Sequence, residues 1–164
     1  TMEELVAIFE RERKKGNKTV TTNGTFDIVH LAHLHFLEMA KSFGEILAVL
    51  INSDASVGIN KGDKRPIISE SERAEFLTYL PFVDYVTIFE EETPLTLLHY
   101  LKPSIHIKGG SYIPERIQEE KKLIESYGSE FRTLDLEQSY STTNLIKKIL
   151  ETYKWNYLIE QNWS

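Results

Sequence analysis

Short apolar stretches of strand length alternate along the chain with longer stretches in which apolar residues recur every three or four positions. The clearest strand is the continuous apolar run from Ile46 to Ile51. Such a run is typical of a strand that is buried on both faces of a parallel sheet. The repeated alternation of strands and helices predicts an α/β protein with a doubly wound parallel sheet.

The pattern predicts about five parallel strands with flanking helices, which is a Rossmann-like arrangement. The predicted strands cover residues 19–21, 46–51, 83–89, 105–108 and 131–134. The predicted helices cover residues 2–15, 31–42, 69–80, a stretch opened by 90–94, then 114–127 and 141–153. Residues 60–66 are predicted to be a basic loop, and residues 154–164 show no clear period.

Polar segments follow the predicted strands at the same end of each. They cover residues 22–33, 52–65, 84–93, 108–112 and 139–144. Right-handed crossovers bring the carboxyl ends of parallel strands to one edge of the sheet. We therefore expect these segments to converge on one site.

The length of 164 residues suits a single domain over residues 1–164, with a core at about 18–150 and an extension at 151–164. The net charge of −6 argues against a nucleic-acid partner, and the absence of cysteine excludes disulfides, thiolate metal sites and a cysteine nucleophile. The chain has no apolar run long enough to span a membrane. Its first 18 residues are charged and amphipathic rather than signal-like, so we expect a cytoplasmic protein.

The segment over residues 22–33 joins the first strand to a helix and carries the strongest candidate chemistry. It holds Gly24, the carboxylate of Asp27 and two histidines, His30 and His33, three positions apart. A strand-turn-helix places backbone N–H groups and a helix N-terminus where they favour phosphate. An isolated histidine pair is more often structural or part of a metal site. At this turn, two aligned imidazoles would hydrogen-bond to a polyphosphate.

Other polar residues at the same edge have both an ordinary and a functional interpretation. Lys61 and Arg65 belong to a basic loop that either is solvated or contacts an anion. Lys108, followed by Gly109, either extends to water or meets a phosphate. The hydroxyl-rich segment 141–143 is an N-cap signal and also suits an anion. The ordinary interpretation, a turn or a strand end, also applies to Asp27, Asn52 and Asp54.

Three common motifs are absent from the sequence. It contains no P-loop pattern, no G-x-G-x-x-G after the first strand and no G-x-S-x-G elbow. This disfavours P-loop NTPases, dinucleotide oxidoreductases and α/β-hydrolases.

Residues 24–33 resemble the G-x-F-D-x-x-H-x-G-H signature of the cytidylyltransferase-like nucleotidyltransferases, and residues 141–143 resemble that superfamily's second signature. One branch, the D-glycero-β-D-manno-heptose 1-phosphate adenylyltransferase domain of ADP-heptose synthesis, is similar over residues 18–150. The motifs that carry this likeness lie at residues 52–56, 61–66, 89–94, 108–112 and 141–144. Many members fuse this domain to a sugar kinase, and we expect it to stand alone here.

The resemblance implies transfer of AMP from ATP to a sugar 1-phosphate, with Mg²⁺ bound to the ATP, no metal held by the protein alone, and a homodimer. It implies catalytic roles for His30, His33 and Lys61. The residues it implies for nucleotide binding are Asn23, Gly24, Thr25, Phe26, Asp27, His30, His33, Lys108, Gly109, Ser141, Thr142 and Thr143. Those it implies for binding the sugar phosphate are Asn52, Asp54, Lys61, Arg65 and Lys108.

Two departures from the signatures bear on the choice of function. Ala32 replaces the glycine of the first signature, which motivates the alternative of a nucleotide-binding module without turnover. A glycerol-phosphate cytidylyltransferase has an arginine before the second signature, where this chain has Leu136 or Glu137. A CTP-dependent enzyme acting on a small polyol or amino-alcohol phosphate is therefore the second choice.

Overall fold

The computed structural model describes residues 1–109, 114–135 and 142–160, in which helices and strands alternate. The strands are β1 (Thr19–Gly24), β2 (Ile46–Asn52), β3 (Tyr85–Phe89), β4 (Ile105–Gly109) and β5 (Glu130–Leu134). The helices are α1 (Met2–Lys14), α2 (Leu31–Lys41), α3 (Asp54–Lys61), α4 (Glu70–Thr78), α5 (Leu95–Leu101), α6 (Pro114–Ser126) and α7 (Thr142–Glu160). No helix in these ranges combines the length and the hydropathy needed to cross a membrane.

Within the described residues, the five strands form one parallel sheet in the order β3-β2-β1-β4-β5. β1 pairs with β2 on one side, from Thr19 opposite Ile46 to Gly24 opposite Ile51, and with β4 on the other. The order of the strands reverses at β1, so a switch-point crevice opens beside its carboxyl end. The predicted doubly wound, Rossmann-like sheet is confirmed.

The apolar run of β2 divides its side chains between the two faces of the sheet. Leu47, Val49 and Ile51 pack into a cluster with residues of α2 and α4. Leu50, with Ala48, packs into the opposite cluster with residues of α1, α5 and α6. Both clusters are needed because each face of a parallel sheet must be covered.

Several element boundaries differ from the sequence prediction, and β1 continues to Gly24, past its predicted end at residue 21. Residues 54–61 form α3 instead of a loop, because the hydroxyl of Ser53 caps the N–H of Ser56 and Val57 is buried. β3 begins at Tyr85 rather than residue 83, since the Asp84 carboxylate accepts the N–H of Leu47. α7 continues to residue 160, past the predicted end at 153.

The turn that leads into β2 requires a residue without a side chain. A Cβ added at Gly44 would lie 2.6 Å from the Lys18 carbonyl oxygen and 2.9 Å from Val20 Cγ2. We therefore expect Gly44→Ala to lower the free energy of unfolding by about 2 kcal/mol, because backbone must move. Urea unfolding followed by circular dichroism measures the change.

Gly58→Ala is the matched control. Gly58 lies inside α3, and its nearest contact to an added Cβ is 4.0 Å away. Alanine should raise the stability by about 0.5–1 kcal/mol through helix propensity. Equal stability of Gly44→Ala and the wild type would contradict the packing described for this turn.

Candidate active site

The turn after β1 is held in an unusual backbone conformation. Phe26 has a φ of +49°, in the left-handed region that costs an L-residue about 1–2 kcal/mol. Its ring is buried and covers Gly24, where an added Cβ would lie 3.0 Å from Phe26 Cε2. Burial of the ring offsets the strain. The turn is thus fixed with Thr25 and Phe26 at the switch point, where their predicted backbone contacts with a nucleotide would be made.

Asp27 ties this turn to the segment that precedes α4. Its carboxylate is buried, and Oδ1 accepts the backbone N–H groups of Ile67 at 2.8 Å and Ile68 at 3.0 Å. Its Oδ2 lies 2.6 Å from Nε of Arg65. The carboxylate therefore orients the turn, and direct contact of Asp27 or Arg65 with substrate stays a prediction.

The two motif histidines stack at the start of α2. Their ring centroids are 3.8 Å apart at an interplanar angle of 21°, and the His33 ring lies 5.2 Å from that of Phe26. His33 Nδ1 accepts the backbone N–H of His30 at 3.4 Å. That bond assigns the proton of neutral His33 to Nε2, since Nδ1 acts as the acceptor. The pair thus presents imidazole N–H groups beside a helix N-terminus.

Both imidazoles are uncharged at neutral pH. Burial, followed by the nearby His30 and Lys61, lowers the pKa of His33 to about 4. Burial also lowers the pKa of His30. Neutral imidazoles donate hydrogen bonds to phosphate oxygens without needing to be protonated first.

Lys61 ends α3 and brings a positive charge to the same place. Loss of water around its ammonium group, followed by the charge of Arg65, lowers its pKa, and Asp27 opposes the shift. The charge of Lys61 also contributes to the lowered pKa of His33. A local positive potential in an acidic chain suits an anionic ligand.

Arg73 joins the segments around the site through one buried guanidinium, whose side chain is 0% exposed. Its N–H groups donate to the carbonyls of Thr25 at 2.6 Å, Asn52 at 2.8 Å and Ile68 at 3.0 Å. A fourth bond, of 2.7 Å, reaches Oδ1 of Asp54. The carboxyl ends of β1 and β2 and the start of α3 are therefore set relative to one another by one side chain.

The predicted sugar-phosphate residues at the end of β2 and the start of α3 have partners within the protein. Asn52 Nδ2 donates to Ser56 Oγ at 2.9 Å, and the Asp54 N–H donates to Glu70 at 2.6 Å. Asp54 also pairs with Arg73. The structure thus places Asn52 and Asp54 at the crevice edge, and their contact with a sugar phosphate stays a prediction.

The opposite wall of the crevice is formed by the end of β4. Lys108 Nζ donates to Asn23 Oδ1 at 2.8 Å and to Glu120 Oε1 at 2.7 Å. Gly109 follows, and a Cβ there would overlap the ring of Phe36. Asn23, Lys108 and Gly109 therefore lie together at the switch point, as the sequence predicted for residues at one sheet edge.

The start of α7 reaches the first motif. Thr142 Oγ1 donates to the carbonyl of Ile28 at 3.2 Å, and Thr143 is exposed beside it. Ser141 lies outside the described residues, as do residues 110–112 and 136–137. The two signature segments, far apart in sequence, are in contact.

Sequence reasoning missed three residues of this region. Arg73 lies one helical turn before the buried Leu77, a position that faces the core. His106 alternates with buried Ile107 in β4, and Glu120 lies on the buried side of α6. A charged residue at an expected core position was the available signal.

A family model described as Cytidylyltransferase-like matches residues 21–148, which is most of the chain. The curated protein "Bifunctional protein HldE" of Geobacter metallireducens is 48% identical over 149 residues, covering 91% of this chain and 30% of that protein. The protein of the same name from Helicobacter pylori is 45% identical over 151 residues, covering 92% and 31%. The chain thus spans about 30% of the length of these relatives.

Solved structures share the fold. The lipopolysaccharide core biosynthesis protein from Thermoplasma volcanium has a TM-score of 0.62 and 29% identity, with coverage of 77% of this chain and 100% of that one. A pantoate-beta-alanine ligase from Francisella tularensis has a TM-score of 0.61 and 15% identity, with coverage of 84% and 66%, and shows the fold alone.

Arg73→Met should lower the free energy of unfolding by about 3–5 kcal/mol, because Asp54 and three carbonyls lose their donor. Arg73→Lys should recover only part of the loss, since an ammonium lacks the planar fork of donors. Chemical unfolding tests both. Arg11, with a side chain 58% exposed, gives the control Arg11→Met, which should cost less than about 1 kcal/mol. An Arg73→Met protein as stable as this control would refute the role of the guanidinium.

The stability of the fold should depend on pH through His33. The unfolded chain binds a proton on this imidazole near pH 6.5 and the folded chain only near pH 4, so between these values the unfolded state holds more protons. Stability should therefore fall as pH drops from about 6.5 to 4. His33→Ala should reduce that slope in urea titrations, whereas His99→Ala, at an exposed position on α5, should keep it. An unchanged slope in His33→Ala would show that the imidazole is not desolvated.

Proposed function

Because this chain belongs to the cytidylyltransferase-like family, we propose that it is a nucleotidyltransferase that transfers AMP from ATP to D-glycero-β-D-manno-heptose 1-phosphate, giving ADP-heptose and pyrophosphate. The observation that carries the proposal is the stacked pair of neutral histidines at the switch point, where the charge of Lys61 acts on His33. Identity of 41–48% to bifunctional HldE proteins, together with the motifs of the heptose-phosphate branch, supports this substrate.

In the proposed reaction, an oxygen of the sugar phosphate attacks the α-phosphorus of ATP in line. A new P–O bond forms as the bond between the α-phosphorus and the bridging oxygen breaks, and pyrophosphate leaves with the electron pair. No covalent enzyme intermediate is required, so positioning and charge stabilisation carry the catalysis.

The described side chains fit that demand. His30 and His33 would donate N–H bonds to triphosphate oxygens, and Lys61 would neutralise charge that moves onto the leaving pyrophosphate. The hydroxyls of Thr142 and Thr143, with Ser141, would hold the outgoing β- and γ-phosphates at the start of α7.

The acceptor would enter beside β2 and β4. In this proposal Asn52, Asp54 and Arg65 would line the first side and Lys108 the second, so that a phosphate between them would meet one cation from each side. Mg²⁺ is part of the proposal as a component of the MgATP substrate. The described residues bring no three carboxylate or histidine groups together to hold an ion, and triphosphate oxygens supply such ligands themselves.

Ala32 is compatible with turnover. Ala32 is 1% exposed and lies on the interior side of α2. His30 and His33, which flank it in the sequence, stack on each other. Its methyl group therefore does not stand in the open crevice. This favours an active enzyme over a nucleotide-binding module without turnover.

We further propose that the enzyme is a cytoplasmic homodimer. α7 leaves apolar side chains exposed at Leu145, Ile149, Leu150 and Tyr153, a stripe that a second copy would cover. Sedimentation velocity at micromolar concentration should give the mass of two chains. A single species at 19.0 kDa would refute the dimer.

Pyrophosphate release tests the reaction. MgATP with D-glycero-β-D-manno-heptose 1-phosphate should give pyrophosphate and ADP-heptose, detected by coupled assay and mass spectrometry. MgCTP with glycerol 3-phosphate tests the cytidylyltransferase alternative suggested by the family's name. Release with CTP alone would establish that alternative, and nucleotide binding without release under any pair would identify a binding module.

His33→Ala should lower kcat by about 100- to 1,000-fold, because one preorganised donor to the triphosphate is lost. The fold should persist, as judged by its melting temperature at pH 8. His99→Ala provides the control at an exposed histidine and should retain the wild-type kcat. Undiminished turnover in His33→Ala would contradict its catalytic assignment.

A further inference from the structure

A chain of polar side chains runs through the interior between β1, β4 and α6. Thr21 Oγ1 and His106 Nδ1 are 2.8 Å apart, and His106 Nε2 lies 3.5 Å from Glu120 Oε2. Glu120 Oε1 accepts from Lys108 Nζ at 2.7 Å, and the same ammonium donates to Asn23 Oδ1 at 2.8 Å. Five side chains from three elements thus form one row, joined by three hydrogen bonds and by a His106–Glu120 approach that does not meet hydrogen-bond geometry.

Most of this network is removed from water. The side chains of His106 and Glu120 are 0% and 2% exposed, whereas that of Lys108 is 14% exposed. Burial of a carboxylate is unfavourable unless a nearby positive charge compensates it. An apolar residue would fill the interface between α6 and the sheet at lower cost. The carboxylate is therefore unexplained by packing alone.

The charges in the network are set by its members. Burial alone would raise the pKa of Glu120, but His106 and Lys108 outweigh it and the pKa is lowered. Burial lowers the pKa of His106 in spite of Glu120. Glu120 is therefore an anion at neutral pH, with a neutral imidazole on one side and the Lys108 ammonium on the other.

The network ends at the crevice. Thr21 and Asn23 lie two residues apart on β1, and His106 and Lys108 lie two residues apart on β4, so each pair points to the face that α6 covers. Thr21 and His106 lie deep in the sheet, while Asn23 and Lys108 lie at the carboxyl ends. The network of side chains therefore runs from the core to the switch point.

We propose that Glu120 is a positioning residue that holds the ammonium of Lys108 at the switch point, ready to bind a phosphate group of the nucleotide or of the acceptor. His106, anchored by the Thr21 hydroxyl, lies 3.5 Å from the second oxygen of Glu120 and limits where that carboxylate can turn. The inference rests on the proposed function in one respect, namely that Lys108 contacts a substrate phosphate.

Glu120→Gln keeps the shape of the side chain and removes its charge. We expect it to raise the Kd of MgATP, measured by calorimetry without acceptor, or the KM of the sugar phosphate, by about tenfold. The kcat should change less than about threefold. Glu125→Gln on the same helix, where the glutamate forms only an exposed pair with Lys121 among the described residues, should leave both constants unchanged.

A double-mutant cycle separates positioning from a general effect on the fold. If Glu120 acts through Lys108, adding Glu120→Gln to a Lys108→Met protein should change the same constant less than about twofold. Effects that multiply in the double variant, or a Glu120→Gln protein with wild-type constants, would overturn the proposal.

Thr21→Val is the second variant if Glu120→Gln does not fold, since it leaves every charge in place and removes only the anchor of His106. Thr21→Val should raise the same Kd or KM about threefold, and only in the protein that retains Lys108. An equal effect in both backgrounds overturns the proposal.

Failure of the proposed function has a different signature. A protein that binds MgATP but releases no pyrophosphate still allows the effect of Glu120 on MgATP binding to be measured. A protein that binds neither MgATP nor MgCTP refutes both inferences.

Discussion

The Arg73 guanidinium, fully enclosed by the protein, determines how the segments around the crevice meet. It donates to the carbonyls at the ends of β1 and β2 and to the Asp54 carboxylate at the start of α3. If any one of these buried acceptors were left without a donor, the free energy of unfolding would fall by about 1–3 kcal/mol. One side chain therefore fixes the position from which Lys61, at the other end of α3, reaches the histidine pair. The geometry of the site depends on a residue that need not touch a ligand.

The other wall of the crevice uses the same principle with the charges reversed. Glu120 is a buried anion that holds a cation, Lys108, whereas Arg73 is a buried cation that holds carbonyls and the carboxylate of Asp54. In both cases a costly buried charge is compensated by several directed bonds. The result is a protein of net charge −6 with a local cluster of positive groups around a phosphate turn.

The sequence alone predicted the features that depend on local pattern. The strand predicted from the apolar run 46–51 and the helix predicted over residues 69–80 are both found, as β2 and α4. α3 was missed because Gly58 and the polar residues after it read as a loop, although Val57 packs inward. Arg73 could not be assigned from pattern, since its partners come from segments up to 48 residues away that only the fold assembles.

A nucleoside triphosphate that binds over the stacked histidines would change the environment of both imidazole rings. Imidazole ¹⁵N NMR of the wild-type protein, titrated with MgATP, measures this directly. We expect large shifts for the nitrogens of His30 and His33, and none for His99 on the exposed side of α5. Binding of MgATP that leaves the resonances of His30 and His33 unchanged would contradict it.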